Sequence, residues 1–484
     1  MRLRKNKSFW ISGSLAALIF ILLFMGRLDL FEILFNRPKT LSFSAGNTPN
    51  DKETWMNIFQ GNRKIGFSHA RLSSENDGYQ LEETVRMRIN TMGMVQDVHL
   101  KTRGGLKADF SLADFDFKID SGRFSFSVKG SVFNDVLTVQ TAGIATGRKI
   151  DIKLKTKPYL LAAITTAVAT AELYPGDKYT FDIFDPATLG QSPVIIEVIG
   201  DEDLHIAGEK KTATKVVLNF RGSNQIAWIG ESGDVLRELG ILGIRLEKTS
   251  GNIARQGLTT QSSADLTQIA SVASNVVLEN LDRRSALKVE ISGIPFEGIR
   301  LNGGRQTFIN NVLTVSKESM VNLAADIGQS NLQTFEKIFL KSTPFIQSDH
   351  QTIRALAKKI IGNHSRPLEK VHKLVEWVYQ NIEKRPVISL PDALSTLENR
   401  VGDCNEHAVL MAALARAAGI PCRVEAGLVY LKGRFYSRPS ISLRKTYRYG
   451  VLKVHRRHLR RAGSYFRQEG AGKPGNVFSL RLVR

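Results

Sequence analysis

Apolar and polar residues alternate along much of the first half of the chain, from Glu53 to about Leu258. A period of two is typical of antiparallel strands with one covered face. The stretches that show it are Arg123–Lys129, Lys149–Lys155, Lys178–Phe184, Val194–Ile199 and Thr214–Phe220. The pattern predicts a β-rich domain over residues 50–260.

One helical stretch interrupts this alternation. The Ala/Thr/Leu run Tyr159–Leu173 is followed by Pro175, and at fifteen residues it is short for a membrane-crossing helix, so we predict a core helix. Residues 261–345 are predicted to be a second β segment and linker, with strands at Ala286–Ser292 and Gln306–Val315.

From Gln351 the apolar residues recur at helical spacing. The stretch Arg366–Ile382 predicts one helix with a proline in its first turn, and Asp392–Glu398 predicts a shorter one. An Ala/Leu-rich helix then begins at Cys404, ends before a Gly-Ile-Pro turn and leads into a strand over Cys422–Leu431. The fold class predicted for the whole chain is α+β.

The N-terminus carries the pattern of a membrane signal. Four basic residues lie within the first seven positions and precede an uncharged apolar run, Phe9–Met25. No Ala-x-Ala cleavage sequence follows, so we predict a signal anchor or transmembrane helix over residues 1–35, with a cleaved signal peptide as the alternative. The basic flank predicts a cytoplasmic N-terminus and an extracytoplasmic body, which is periplasmic if the source is bacterial.

Length and charge add two expectations. A chain of 484 residues is too long for a single core, so several domains are expected. Its net charge of +21 is concentrated in residues 437–484, where thirteen Lys and Arg stand against one acid, Glu469. We predict a disordered basic tail there, with binding to anionic lipid as the alternative. Nucleic acid is not expected as a partner, because the body is predicted to lie outside the cytoplasm.

The two cysteines exclude a disulfide scaffold and a cysteine-based zinc site. Cys404 follows a Gly-Asp turn at the first turn of its predicted helix, where unpaired N–H groups and the helix dipole favour the thiolate. Cys422 is predicted to be a small buried core residue, and a Cys404–Cys422 disulfide is the alternative that the sequence leaves open.

Residues from roughly 350 to 436 resemble the core of the transglutaminase-like superfamily. The matching motifs are Asp392-Ala-Leu, Gly402-Asp-Cys404-Asn-Glu-His-Ala, Arg416-Ala-Ala-Gly-Ile-Pro421 and Gly427-Leu-Val-Tyr430. The resemblance implies a papain-like α+β module over 346–436 in which Cys404 attacks an amide of a protein or peptide substrate. It also implies a histidine base on the next strand, an aspartate that orients it, and no cofactor or metal.

The chain departs from this family after Tyr436. The resemblance implies a His-Ala-Trp-like sequence there and a Val-Asp-Pro-Thr-like sequence later, but Ser437-Arg-Pro follows and residues 437–484 contain no aspartate. His455 and His458 are weak candidates for the base, because the arginines beside them disfavour an imidazolium. His407 lies one turn after the cysteine and is expected to pack or face solvent.

A shifted reading frame after Tyr436 would explain this departure, and the chain would then be truncated or frame-shifted relative to the family. If Ser437-Arg438 were encoded TCA-CGC, a one-base shift would read CAC-GC, which encodes His-Ala. The coding nucleotides test this hypothesis, which is wrong if no alternative frame contains a His-Ala and then a Val-Asp sequence.

Together these features predict a cysteine enzyme of the cell envelope that performs acyl transfer or hydrolysis at amides through a Cys404 thioester. It would be inactive if nothing replaces the missing histidine and aspartate. The alternative is a non-catalytic, membrane-anchored envelope protein that binds a partner through its β-rich region. Trp377 is expected to pack in the core, and Arg416 to bind carbonyls or a local carboxylate.

Overall fold

The computed structural model describes residues 51–443 and 479–482, apart from internal gaps. The gaps are 76, 123, 143–147, 170, 172, 207, 221–222, 258–263, 281–282, 295, 297–298, 300, 304–305 and 318–336. In this part of the chain no helix is both long enough and apolar enough to cross a membrane. The predicted anchor at 1–35 lies outside the described residues.

Fifteen strands of the first half form one large, almost entirely antiparallel sheet. They are β1 Lys52–Gln60, β2 Arg63–Glu75, β3 Gly78–Thr91, β4 Met94–Lys107, β5 Leu112–Ser121, β6 Phe124–Phe133, β7 Val136–Ala142, β8 Arg148–Lys153, β9 Pro158–Tyr159, β10 Lys178–Asp185, β11 Gly190–Ile206, β12 Glu209–Phe220, β13 Ser223–Gly230, β14 Val235–Leu239 and β15 Ile244–Thr249. Two meanders, β1 to β8 and β9 to β15, are joined where β1 pairs with β15. The predicted β-rich antiparallel region is confirmed.

Helix α1, Leu161–Ala169, packs against the apolar side chains of both meanders. Ala163 and Ala167 contact the cluster built from β2 to β7, whereas Ile164 and Val168 contact the cluster built from β10 to β13. All four are almost completely buried. The helix predicted within Tyr159–Leu173 is therefore a core helix, shorter than its apolar run.

Between the sheet and the C-terminal module lie short elements and a small sheet. They are α2 Gly251–Arg255, α3 Leu266–Ile269, β16 Val272–Ala273, β17 Ala286–Ser292, β18 Gln306–Ile309 and β19 Val312–Ser316. The sequence predicted one strand over Gln306–Val315, and this was wrong. The chain turns at Asn310 and Asn311, which adopt φ of 49° and 63°, a left-handed conformation that asparagine tolerates, and β18 pairs with β19 as a hairpin.

The C-terminal module is helical with a short parallel pair and a hairpin. Its elements are α4 Gln351–Ile361, α5 Pro367–Asn381, β20 Glu383–Lys384, α6 Ala393–Asn399, β21 Val401–Gly402, α7 Cys404–Ala417, β22 Cys422–Leu431 and β23 Arg434–Leu443. Helix α7 is the centre of this module, because ten of its fourteen residues are buried. Helices α4, α5 and α6 and both hairpin strands pack against it. The α+β class is confirmed.

Two stretches of the predicted disordered tail form strands. Strand β23 continues past Tyr436 to Leu443, and β24, Ser479–Leu482, pairs with β17. Disorder was therefore wrong for these stretches, because their backbones hydrogen-bond to neighbouring strands. The remainder of 437–484 lies outside the described residues.

Candidate active site

Cys404 is the first residue of helix α7, and the turn before it is closed by a capping box. The Asp403 carboxylate accepts a hydrogen bond from the Asn405 N–H at 2.7 Å, and the Glu406 carboxylate accepts one from the Asp403 N–H at 2.8 Å. These two bonds order the start of the helix. The Cys404 side chain is partly exposed, so the thiol lies at an ordered and accessible helix terminus.

Glu406 is the buried acid of this turn, with only 1 % of its surface exposed. The Ser389 hydroxyl donates to its Oε1 at 2.5 Å. Burial raises the pKa of Glu406 to about 7, and repulsion from Asp403 acts in the same direction. A Cβ on Gly402 would lie 2.3 Å from the Glu406 Cβ, so the Glu406 side chain needs a glycine at 402.

The hairpin of β22 and β23 runs along helix α7. Its turn is made by Lys432 and Gly433, with φ of 46° and 79°, as the Lys-Gly sequence predicts. Helix α7 is about 20 Å long, and a strand covers that distance in about six residues. Since β22 begins at the opposite end of the helix, a strand parallel to the helix axis would reach the level of Cys404 near Leu428.

Leu428 pairs with Ser437 on β23. Opposed residues of an antiparallel pair share a face, and Cys422 and Val424, which pack against α7, lie on that same face by alternation. Ser437 therefore occupies the register position at which the family resemblance implies a histidine. At this register position the described backbone carries a serine and not a histidine.

The histidines predicted as weak or unsuitable bases have different outcomes. His455 and His458 lie outside the described residues, so their candidacy stays a prediction. The His407 Nδ1 donates to the Asp403 carbonyl at 2.6 Å, and its Nε2 is buried with no hydrogen-bond partner among the described residues. Burial lowers the pKa of His407, although the hydrogen bond to the Asp403 carbonyl acts in the opposite direction. The expected packing role agrees with this half-buried position.

Cys422 and Arg416 support the far end of α7. Neither cysteine is in a disulfide, and Cys422 is 1 % exposed, with a pKa that burial raises to about 12. Arg416 donates to the Cys422 carbonyl at 2.8 Å and to the Lys341 carbonyl at 2.7 Å. Both residues have the structural roles that the sequence predicted.

Trp377 packs against the apolar core around α7, as predicted, and the Arg400 guanidinium lies 4.9 Å from its ring centroid. Ser389 was not predicted as part of the site. The sequence does signal Glu406, because its position three residues after the N-cap Asp403 is the signature of a capping box.

Residues 354–455, about a fifth of the chain, match the family model of the transglutaminase-like superfamily core. This segment is a transglutaminase-like domain, which confirms the resemblance seen in the sequence. The match continues past Tyr436 to residue 455.

Known proteins show limited similarity to the chain. An uncharacterized protein of Haemophilus influenzae is 33% identical over 90 residues, which are 18% of this chain and 24% of that protein. The chain thus spans about a quarter of the length of the curated relative it matches.

Among solved structures, a candidate cysteine protease from Cytophaga hutchinsonii is 20% identical, with a TM-score of 0.23, over 36% of this chain and 67% of that one. A β-barrel-like protein from Brucella abortus, a domain of unknown function, is 10% identical, with a TM-score of 0.32, over 42% of this chain and 96% of that one.

Proposed function

We propose that the transglutaminase-like domain is a cysteine enzyme that acts on amide bonds of protein or peptide substrates through Cys404. The observation that supports this most directly is the position of Cys404, partly exposed at the first residue of a capped helix within that domain. Backbone N–H groups at such a helix start stabilise a thiolate, and they also stabilise the oxyanion that forms when the thiolate attacks.

The proposed reaction has two steps, formation of a thioester and its resolution. The Cys404 sulfur forms a bond to the carbonyl carbon, the C–N bond breaks, and the nitrogen leaves as an amine after it takes up a proton. Water or a second amine then attacks the thioester, and the thiol is released with an acid or a new amide as the product.

A substrate-mimicking probe tests this proposal. A peptide-amide analogue with a thiol-reactive group is expected to add once to the full-length protein, and Cys404→Ala is expected to abolish the adduct. Cys422→Ala is the matched control and should keep it, because Cys422 is buried and its pKa is raised to about 12. An adduct that survives Cys404→Ala, or its absence from the unmodified chain, would contradict the proposal. Incorporation of a fluorescent amine, compared with release of acid, then separates cross-linking from hydrolysis.

The alternative of a non-catalytic protein is favoured by one observation, the serine at position 437 of strand β23. If no histidine takes the place of this serine, general-base assistance is lost, and triad members act as a unit, so rates would fall by orders of magnitude. In that case the probe would add to Cys404 stoichiometrically, whereas amide substrates would not turn over, and the β-rich sheet would serve to bind a partner.

We also propose that the domain lies outside the cytoplasm, held by an N-terminal anchor at 1–35. This rests on the basic residues and apolar run of the sequence alone. A membrane-impermeant form of the same probe should label Cys404 in intact cells, and labelling that requires lysis would contradict the location.

A further inference from the structure

The tip of the β3–β4 hairpin contacts the C-terminal domain close to the start of helix α7. Gln96, on β4, donates from Nε2 to the Pro386 carbonyl at 3.3 Å, and its Oε1 accepts from the Ile388 N–H at 3.2 Å. This side-chain amide bonds to a carbonyl and to the N–H two residues later, as a neighbouring strand would. The Ser121 hydroxyl also donates to the Gln96 Oε1, at 3.4 Å, which helps to fix the amide.

The segment that Gln96 binds is bonded on both sides of this contact to the residues around Cys404. Before it, the Arg385 N–H donates to the Gly402 carbonyl at 3.1 Å. After it, the Ser389 hydroxyl donates to the Glu406 carboxylate. Residues 385–389 therefore lie between the large sheet and the capping box. Hydrogen bonds link Gln96 to this segment, and a further hydrogen bond links the segment to Glu406.

Glu406 connects the 385–389 segment to the residue directly before the nucleophile. Its second carboxylate oxygen accepts from the Asp403 N–H at 2.8 Å, and Asp403 is the N-cap residue directly before Cys404. Because Glu406 is almost fully buried, water cannot readily replace these partners, and a displaced Ser389 would leave a buried oxygen unpaired.

A second contact holds the same hairpin tip. The Gly93 N–H donates to Asp265 at 2.7 Å, and Asp265 caps helix α3. At the end of that helix, the Ser271 hydroxyl accepts from Arg434, the first residue of β23, at 2.6 Å. The tip is thus bonded toward both the start of α7 and the hairpin that runs along it.

We propose that Gln96 is a positioning residue for Cys404, so that the β-rich sheet takes part in setting the geometry of the nucleophile. This inference rests on the proposed role of Cys404 and assigns the sheet a task beyond partner binding. Gln96 acts through the 385–389 segment and the capping box. The alternative is that the amide only docks the sheet onto the domain, without consequence for the helix start.

The pH dependence of thiol alkylation in the full-length chain separates these readings. The rate at which iodoacetamide modifies Cys404, followed by mass spectrometry of the Cys404 peptide, rises as the thiol itself ionises. Ionisation of Glu406 should add a second inflection near pH 7, and this is the inflection to follow. Asp403 and His407 on the same turn and Lys384 on β20 are the other ionisable groups that act on this cluster.

Gln96→Leu is expected to move the inflection to higher pH, by about half a unit or more, because loosening the segment withdraws the Ser389 hydroxyl, whose hydrogen bond favours the charged carboxylate. Gln80→Leu is the matched control. Gln80 is also half-buried in the sheet, but it donates to the Gly104 carbonyl, at 3.2 Å, within the sheet itself. Its variant should leave the inflection in place.

Two results would overturn the inference. One is an unchanged inflection in Gln96→Leu, and the other is an equal shift in Gln80→Leu, which would indicate general loosening of the sheet. If Gln96→Leu does not fold, Ser389→Ala tests the same relay from the domain side. It should move the inflection upward, since the Ser389 hydrogen bond favours the charged carboxylate, and an unchanged inflection there also refutes the relay.

Alkylation by iodoacetamide needs no amide chemistry, so the two proposals fail separately. If the amide probe does not add but Gln96→Leu moves the inflection, the proposed function is wrong and the positional coupling stands. If the probe adds to Cys404 and Gln96→Leu leaves the inflection unchanged, the function stands and the coupling is wrong.

Discussion

The large sheet and the transglutaminase-like domain each contain a carboxyl group whose pKa is raised to about 7, half-buried in the sheet and almost fully buried in the domain. In the sheet this group is Glu238 on β14, and in the domain it is Glu406 on α7. Burial is the main cause in both, and a second acid adds repulsion, Glu83 in the first case and Asp403 in the second. A raised pKa by itself therefore does not distinguish the two places.

The surroundings of the two groups do distinguish them. Glu238 pairs in register with Ala227 and Leu246, so it lies on the sheet face that carries apolar side chains. Glu406 instead accepts hydrogen bonds from Ser389 and from the N-cap residue of the helix that bears Cys404. In this protein the hydrogen bonds around a buried acid, more than its pKa, indicate where chemistry is organised.

The largest expected effect on stability comes from adding a side chain at position 402, where the Glu406 side chain of the capping box lies. Gly402→Ala would place a Cβ 2.3 Å from the Glu406 Cβ, so the glutamate must leave its bonds or the turn must shift. We expect a loss of about 3 kcal/mol from the free energy of unfolding of the domain, together with slower Cys404 alkylation.

The matched control for this exchange is Gly190→Ala at the start of β11, where the nearest atom to an added Cβ is 3.5 Å away. Denaturant unfolding of both variants gives the comparison. Equal losses would show that the turn before Cys404 is no more constrained than the sheet.

A smaller effect is expected at the far end of α7. Arg416→Met keeps an apolar stem but leaves the Cys422 and Lys341 carbonyls without their donor, at a cost of about 2 kcal/mol. Arg423→Met is the control, because Arg423 is exposed and ion-paired with Glu425, an interaction worth well under 1 kcal/mol as a rule. Thermal unfolding should separate the two variants, and similar losses would mean that the buried contacts of Arg416 add little stability.

Local signals explain why much of the domain could be predicted from the sequence. The strand Cys422–Leu431 has the predicted bounds, because Gly419 and Pro421 end the helix before it and Lys432-Gly433 forms the turn after it. The N-cap role of Asp392 and the proline at the start of α5 follow similar rules.

Contacts distant in sequence could not be predicted in this way. Gln96 and Pro386 are separated by 290 positions, and nothing in the residues around either one indicates the other. The turn at Asn310 and Asn311 was missed for another reason, since apolar residues flank the two asparagines on both sides, as they would in one continuous strand. The boundary placed at Tyr436 relied on the loss of a motif, whereas backbone pairing to β22 extends β23 to Leu443.

The smallest expected effect is a difference between Glu238 and Glu406 in how stability depends on pH. Glu238 titrates near pH 7 in the folded sheet but near its ordinary value of 4.5 when unfolded. Its contribution to stability is therefore present below pH 4.5 and is lost as the pH rises through 7. Glu238→Gln cannot ionise, so relative to the unmodified chain it should gain stability between pH 4.5 and 8. The difference between the two pKa values corresponds to about 3 kcal/mol at full strength. Because Glu238 is only half-buried, solvent screening reduces the expected gain to about 1 kcal/mol. Hydrogen exchange of the β14 amides at both pH values measures this gain.

Two comparisons complete this last experiment. Glu231→Gln, at an exposed position in the turn before β14, should show no pH-dependent gain. Glu406→Gln should gain less than Glu238→Gln, because an amide offers one acceptor oxygen where the carboxylate uses two, for Ser389 and for the Asp403 N–H. If the two substitutions gave equal gains, the hydrogen bonds at the start of α7 would contribute nothing that burial alone does not, and the distinction between the two acids would be lost.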